Sequence, residues 1–196
     1  GSLKEAARQQ MRGAPTLIGE FGIAFDMQNK KAYRTGDFDP PAKALDRSFR
    51  AMDDNLLSCT PWNYTADNSN ARGDQWNDED LSIFSRDQQK DGRDPNSGGR
   101  ALPAVVRPYA QKIAGEPLRM SFDLKRGIFE FEFRHDPHVE APTEIFLPSF
   151  HYSGGFRVYL SDGTHEYHPD EQILIYRHTP DIPVHSICIK RQKKAA

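Results

Sequence analysis

The sequence is short of cysteine, of long apolar runs and of net charge, and each shortage removes a class of protein. Only Cys59 and Cys188 are present, far apart in the chain. Two thiols cannot knit a disulfide framework, so they read as reduced, buried cysteines in strands, in a reducing compartment. No apolar run approaches the roughly 20 residues of a membrane span, and no leader-type segment opens the sequence. The expectation is an intracellular protein, cytoplasmic or vacuolar, and not a transmembrane one. Lys and Arg number 26 against 28 Asp and Glu. With the charges nearly cancelling, no whole-chain field favours nucleic acid. The basic run Lys190-Arg191-Gln192-Lys193-Lys194 reads as a solvated tail.

Several chemical signatures are missing as well. There is no phosphate loop, no nucleotide fingerprint and no Ser/His/Asp order, so no cofactor is expected. His135-Asp136-Pro137-His138 and His165-Glu166-Tyr167-His168 have the density of metal motifs. Imidazoles at turns of a β-sandwich are usually surface residues, and no metal is expected from them. Asn63-Tyr64-Thr65 is a glycosylation sequon without a secretory context, and it is discounted.

What is present is a chain that changes texture. Leu3–Met11 is rich in helix formers and is stopped by Gly13 and Pro15. Leu17–Phe25 reads as a buried strand and Gln28–Gly36 as a long polar loop. Asp39-Pro40-Pro41 then supplies a cap with proline in the first turn. Leu45, Phe49 and Met52 mark one face of a helix ending near Asp54. Asn55–Pro61 is a second short apolar strand. Helix, strand, helix, strand is the order of a parallel sheet with covering helices.

Trp62–Gly99 is long and irregular, ordered by its aromatics at first and mobile around Gln88–Gly99. Arg100–Ala114 carries Leu102, Val105, Val106, Tyr109 and Ile113 on a helical stripe, which Gly115 and Pro117 end. Beyond it, Ile128–Phe133 alternates with period two. Thr143–Leu147, Phe156–Leu160, His165–His168, Gln172–Tyr176 and His185–Ile189 are further short strands. Ser161-Asp162-Gly163-Thr164 reads as the turn of a hairpin. Residues 118–196 thus read as a small antiparallel β-sandwich.

Two βα units leave sheet edges and apolar faces uncovered. Residues 1–117 therefore read as the last strands and helices of a larger α/β domain, incomplete in this chain.

The stretch Gly19-Glu20-Phe21-Gly22 sets one carboxylate at a strand end, between glycines. A carboxylate held rigid and ionised at the carboxyl tip of a barrel strand can attack an anomeric carbon. A solvated strand-end glutamate is the plainer reading, and context decides between them. "PTLIGEFG" followed after a helix by "NLLSCTPWNYTADN" resembles the last two strands of a family 5 glycoside hydrolase. "QWNDEDLSIF" and "GGRALPAVVRPYAQKIAGEP" resemble its endoglycoceramidase-like branch, which includes fungal sterylglucosidases. "APTEIFLPSFHY", "RVYLSDG" and "ILIY" resemble that branch's C-terminal β-sandwich, so the likeness covers nearly the whole chain.

The resemblance implies the C-terminal part of a (β/α)8 TIM barrel followed by the sandwich. It also implies a retaining glycosidase acting on a glucosyl lipid, a steryl β-glucoside ahead of glucosylceramide, with peripheral membrane contact. Glu20 matches the family's catalytic nucleophile, and Trp62 the aromatic platform of the sugar subsite. An indole stacked on the apolar face of glucose would orient that carbon. Tyr64, Trp76 and Asn77 would shape the rim. Phe21, Ile23, Phe25 and Met27 have two readings, a greasy entrance for a lipid aglycone or core at a strand end. Glu79 and Asp80 read as caps of a helix starting near Leu81.

One departure stands out. A retaining enzyme needs a second carboxyl about 5 Å from the first. In the family it lies in an Asn-Glu-Pro motif, and this chain has no Asn-Glu pair; Gly115-Glu116-Pro117 lies on the wrong side of Glu20. The acid/base is expected from an N-terminal fragment of the same enzyme. The rival reading is a non-catalytic carbohydrate- or lipid-binding module built on the sandwich.

Overall fold

A computed structural model describes residues 2–192. The chain forms two compact units. The first takes residues up to Phe49 together with Leu57–Val105, the second Arg50–Leu56 and the chain from Val106 onward.

The first unit opens with α1 (Ser2–Gln10) and continues with β1 (Leu17–Phe21), α2 (Met27–Thr35), α3 (Asp39–Asn55), β2 (Ser58–Pro61) and the short α4 (Leu102–Val105). The last turns of α3 belong to the second unit. β1 and β2 pair in parallel, with Leu17 opposite Ser58 and Ile18 opposite Cys59. Parallel strands need a long crossover, and α2 and α3 supply it. Leu45 and Phe49 of α3 are buried, as their spacing requires, and pack with Phe25, Ala101 and Ala104.

Two expectations fail here. Gln28–Gly36 is not a loop; α2 occupies most of it, opened by Gln28, Asn29 and Lys30 at positive φ. Its polar sequence lacks an apolar stripe, and only Ala32 is buried. β1 is not a buried strand, since Leu17 is 60% exposed. Among the described residues no further strand flanks the pair.

The second unit is a two-sheet sandwich of β3 (Tyr109–Lys112), β4 (Gly115–Asp123), β5 (Ile128–His135), β6 (Thr143–Phe146), β7 (Phe156–Leu160), β8 (Thr164–His168), β9 (Ile173–Arg177) and β10 (Val184–Arg191), with α5 (Ser149–Tyr152) between β6 and β7. One sheet runs β4-β5-β10-β7, the other β3-β6-β9-β8, and every pairing is antiparallel. Period-two alternation turns Phe129, Phe131 and Phe133 inward, where they meet Ile145, Leu174, Tyr176, Ile187 and Ile189.

The expected helix over Arg100–Ala114 shrinks to α4. Pro108 lacks the N–H that a helix needs and pushes Arg107 toward extended backbone, so the chain passes into β3. Gly115-Glu116-Pro117 opens β4 instead of ending a helix. The sandwich strands therefore begin at Tyr109, ahead of the boundary expected at residue 118.

Ser161-Asp162-Gly163-Thr164 is not a hairpin turn, because β7 and β8 lie in different sheets. It is an arch between layers. Gly163 has φ 71°, and a Cβ there would lie 2.0 Å from the Arg177 carbonyl oxygen, so only glycine fits. Lys190 and Arg191 extend β10 and are not part of a free tail, while Lys193 and Lys194 lie outside the described residues. No helix is long and apolar enough to cross a membrane among the described residues.

Candidate active site

Glu20 is the penultimate residue of β1, and its side chain is exposed. Trp62 follows the last residue of β2. Because the strands are parallel, both residues emerge at one end of the pair, the carboxyl end, where loops carry chemistry in sheets of this kind. Two hydrogen bonds join the strand ends around them. The Trp62 N–H donates to the Phe21 carbonyl at 2.7 Å, and the Thr60 hydroxyl donates to the Gly19 carbonyl.

The two glycines of the motif differ in purpose. A Cβ on Gly22 would sit 2.2 Å from the Trp62 carbonyl oxygen and 3.0 Å from the Leu81 side chain. Gly22 is therefore required by the approach of the chain's own Trp62 backbone. A Cβ on Gly19 would meet nothing within 4 Å.

The segment after β2 is clamped by a second stretch of chain. The Asn63 N–H donates to the Leu81 carbonyl at 3.2 Å, and the Ile83 N–H to the Asn63 carbonyl at 2.9 Å. The Asn63 side-chain amide donates to Asp74 at 2.9 Å, and Asp74 also accepts from the Trp76 and Leu81 N–H groups.

Beneath the loop lies a buried ion pair. Arg100 is 1% exposed and grips both oxygens of Asp80, at 2.9 and 2.6 Å. Asn68 bridges them, accepting from Arg100 at 2.9 Å and donating to Asp80 at 2.7 Å. The Tyr33 hydroxyl donates to Asp80, and the guanidinium lies 4.6 Å from the centre of the Phe25 ring. Burial, then the Asp80 hydrogen bond, push the Tyr33 phenol well above its usual range. Asp80 is thus no helix cap, and no helix starts at Leu81. Sequence reasoning missed this centre; the available signal was a lone Arg between the Gly pair and an apolar run.

The other expected residues separate. Trp62 is half-buried and Tyr64 is 65% exposed, its ring beside Phe84 at 5.5 Å. Trp76 is 58% exposed. Phe21 is half-buried and meets Phe49 edge-on at 5.0 Å. Phe25 is 1% exposed, which makes it core beneath Arg100 and removes it as a wall of an open site.

Residues 107–189 match the glycoside hydrolase family 5 C-terminal domain. A glucosylceramidase of Rhizopus delemar is 33% identical over 93% of this chain and 29% of its own length. An ergosteryl-beta-glucosidase of Saccharomyces cerevisiae is 28% identical over 97% of this chain and 32% of its own. The crystal structure of Cryptococcus neoformans sterylglucosidase 1 superposes on 93% of this chain with a TM-score of 0.84 at 32% identity, and the match takes in 30% of that chain. The chain therefore spans about three-tenths of the length of these relatives. Residues 107–189 thus belong to the glycoside hydrolase family 5 C-terminal domain family, and the chain as a whole is similar to part of proteins named glucosylceramidase, ergosteryl-beta-glucosidase and sterylglucosidase.

Proposed function

We propose that this chain is the C-terminal part of a retaining β-glucosidase of glucosyl lipids, with Glu20 as nucleophile. The observation carrying the reading is that an exposed Glu20 and Trp62 lie at the carboxyl end of two parallel strands, where the Trp62 N–H donates to the carbonyl of Phe21, next to Glu20. These strands would be the last two of a (β/α)8 barrel. The exposed Leu17 and the two-stranded sheet agree with further strands completing it.

In this mechanism Glu20 attacks the anomeric carbon, and the bond to the lipid oxygen breaks as a glycosyl-enzyme ester forms. A carboxylic acid from the N-terminal part of the enzyme gives its proton to the departing oxygen. As carboxylate, it then takes a proton from water, which displaces Glu20 and releases glucose with its configuration retained. Trp62 would hold the sugar by stacking on its apolar face, with Tyr64 at the rim. Relatives bear the names of both glucosylceramidase and ergosteryl-beta-glucosidase. Steryl β-glucoside is the first substrate class and glucosylceramide the alternative.

The test is the full-length enzyme with Glu20→Gln, assayed on ergosteryl β-glucoside and on glucosylceramide. Turnover of both should vanish while circular dichroism is unchanged. The wild type should release β-glucose first, as seen by proton NMR. Undiminished turnover in the variant, or α-glucose as first product, overturns the assignment.

A further inference from the structure

The inward rows of two sandwich strands end in histidine. On β5, Phe129, Phe131 and Phe133 face the core, and His135 continues their parity. On β10, His185 precedes Ile187 and Ile189 on the inward face and is fully buried. Pairing sets His185 opposite Phe133, and His135 Nδ1 lies 2.9 Å from His185 Nε2. The β9–β10 connection brings His178, whose ring centre is 4.4 Å from that of His185 and 5.1 Å from that of His135. One ring nitrogen from each of the three lies within 4.8 Å of the others, and His135 and His178 are only half-buried.

A carboxylate backs this cluster. His185 Nδ1 lies 2.8 Å from Asp162 Oδ1, in the arch between β7 and β8. Asp162 also accepts from the Thr179 N–H at 2.6 Å and from the Tyr176 hydroxyl at 2.7 Å. An ionised carboxylate only accepts, so His185 Nδ1 carries a proton. In neutral His185, the Nε2 lone pair is then aimed at His135. Such a carboxylate–histidine pair is the arrangement that orients imidazole ligands of metals. A His–His hydrogen bond accounts for two of the rings, and the third, His178, stacks on His135 with its ring nitrogen turned to the same cluster.

We propose that His135, His178 and His185 form a site for a divalent transition-metal ion of the zinc class, with Asp162 fixing the tautomer of His185. Three imidazoles and a solvent molecule make a tetrahedral set. Ligand nitrogens about 2.0–2.1 Å from a tetrahedral zinc ion stand roughly 3.3 Å apart, so rotation of the half-buried rings closes the site. His135 ligates through Nδ1 after its proton moves by solvent exchange to Nε2, and no net proton is released. The ion would clasp β5, β10 and the β9–β10 connection.

The proposal is independent of the role given to Glu20. Its test is titration of untagged, chelator-stripped full-length protein with zinc chloride by isothermal calorimetry, with thermal unfolding alongside. One ion per chain and a raised unfolding temperature are expected. His178→Ala and His135→Ala should each weaken binding at least about tenfold, and Asp162→Asn by about 10–100-fold. No saturable binding at millimolar zinc overturns the site, as does binding that survives in the His135→Ala/His178→Ala double variant. Should a variant fail to fold, imidazole NMR of the wild type decides. Zinc must shift the resonances of these three histidines, and unmoved resonances refute the site.

Discussion

Arg100 closes on Asp80 with both of its terminal nitrogens, at 2.9 and 2.6 Å, and the two side chains are 0% and 3% exposed. Asn68, Tyr33 and the Phe84 carbonyl satisfy other positions around the pair. The Phe25 N–H donates to the Asp80 backbone carbonyl at 2.7 Å, so the chain beyond β1 is fastened to the same centre. A loop of this length stays ordered because a charge pair with its own hydrogen-bond partners lies beneath it.

Removing one partner strands the other. Arg100→Met should cost about 3–5 kcal/mol, because Asp80 would stay buried without its counter-charge. Urea unfolding measures the loss. A cost below about 1 kcal/mol would mean that the ion pair does not organise the loop.

The two glycines flanking Glu20 should respond differently to alanine. Gly22→Ala drives a methyl group into the Trp62 carbonyl at 2.2 Å and should destabilise by about 1–3 kcal/mol, with activity reduced. Gly19→Ala meets open space and should change stability by about 0.5 kcal/mol or less. Parallel denaturation of the two variants checks the contrast.

Trp62→Ala should raise KM for a glucosyl lipid by roughly tenfold, since stacking of this kind is worth about 0.5–1.5 kcal/mol beyond its buried area. Steady-state kinetics on the full-length enzyme reads this directly. Tyr64→Ala, at a 65% exposed position, should have the smaller effect.

Alkali should unfold the protein through its buried phenols. Burial, aided at Tyr33 by the Asp80 hydrogen bond, raises the Tyr33 phenol; burial also raises Tyr152. A raised folded-state value means that the native state binds more protons above the free-tyrosine range. Their stabilisation is complete below about pH 10 and declines as pH rises past it. Ultraviolet titration should show these two phenolates appearing only with loss of circular dichroism. Ionisation at ordinary pH in the folded protein would contradict their burial.

Much of the architecture was legible because it rests on period and composition. The Leu45–Phe49 spacing marked α3, and alternating Phe and Glu marked β5, since both patterns are local consequences of backbone geometry. GEFG and PWNY were legible as motifs, and the fold brings the two together at one end of the β1–β2 pair. Pro108, which ends the apparent helix, was in plain view but was outweighed by an apolar stripe.

Other features depend on which strand meets which. Ser161-Asp162-Gly163-Thr164 looks the same whether it turns within a sheet or between sheets; the pairing of β10 with β7 and of β9 with β8 makes it an arch. That arch carries Asp162 to His185, and the β10–β5 register carries His185 to His135. Taken alone, His135 looked like a surface residue at a turn and His185 like the start of a strand. Asp80 and Arg100, 20 positions apart, likewise form a pair only through the folded loop. Local sequence therefore decided α3, the alternating strand β5 and the Glu20 motif, because side-chain period and turn chemistry act over a few residues. Tertiary structure alone decided the buried ion pair and the histidine cluster, because charge and imidazole act at distances set by chain packing.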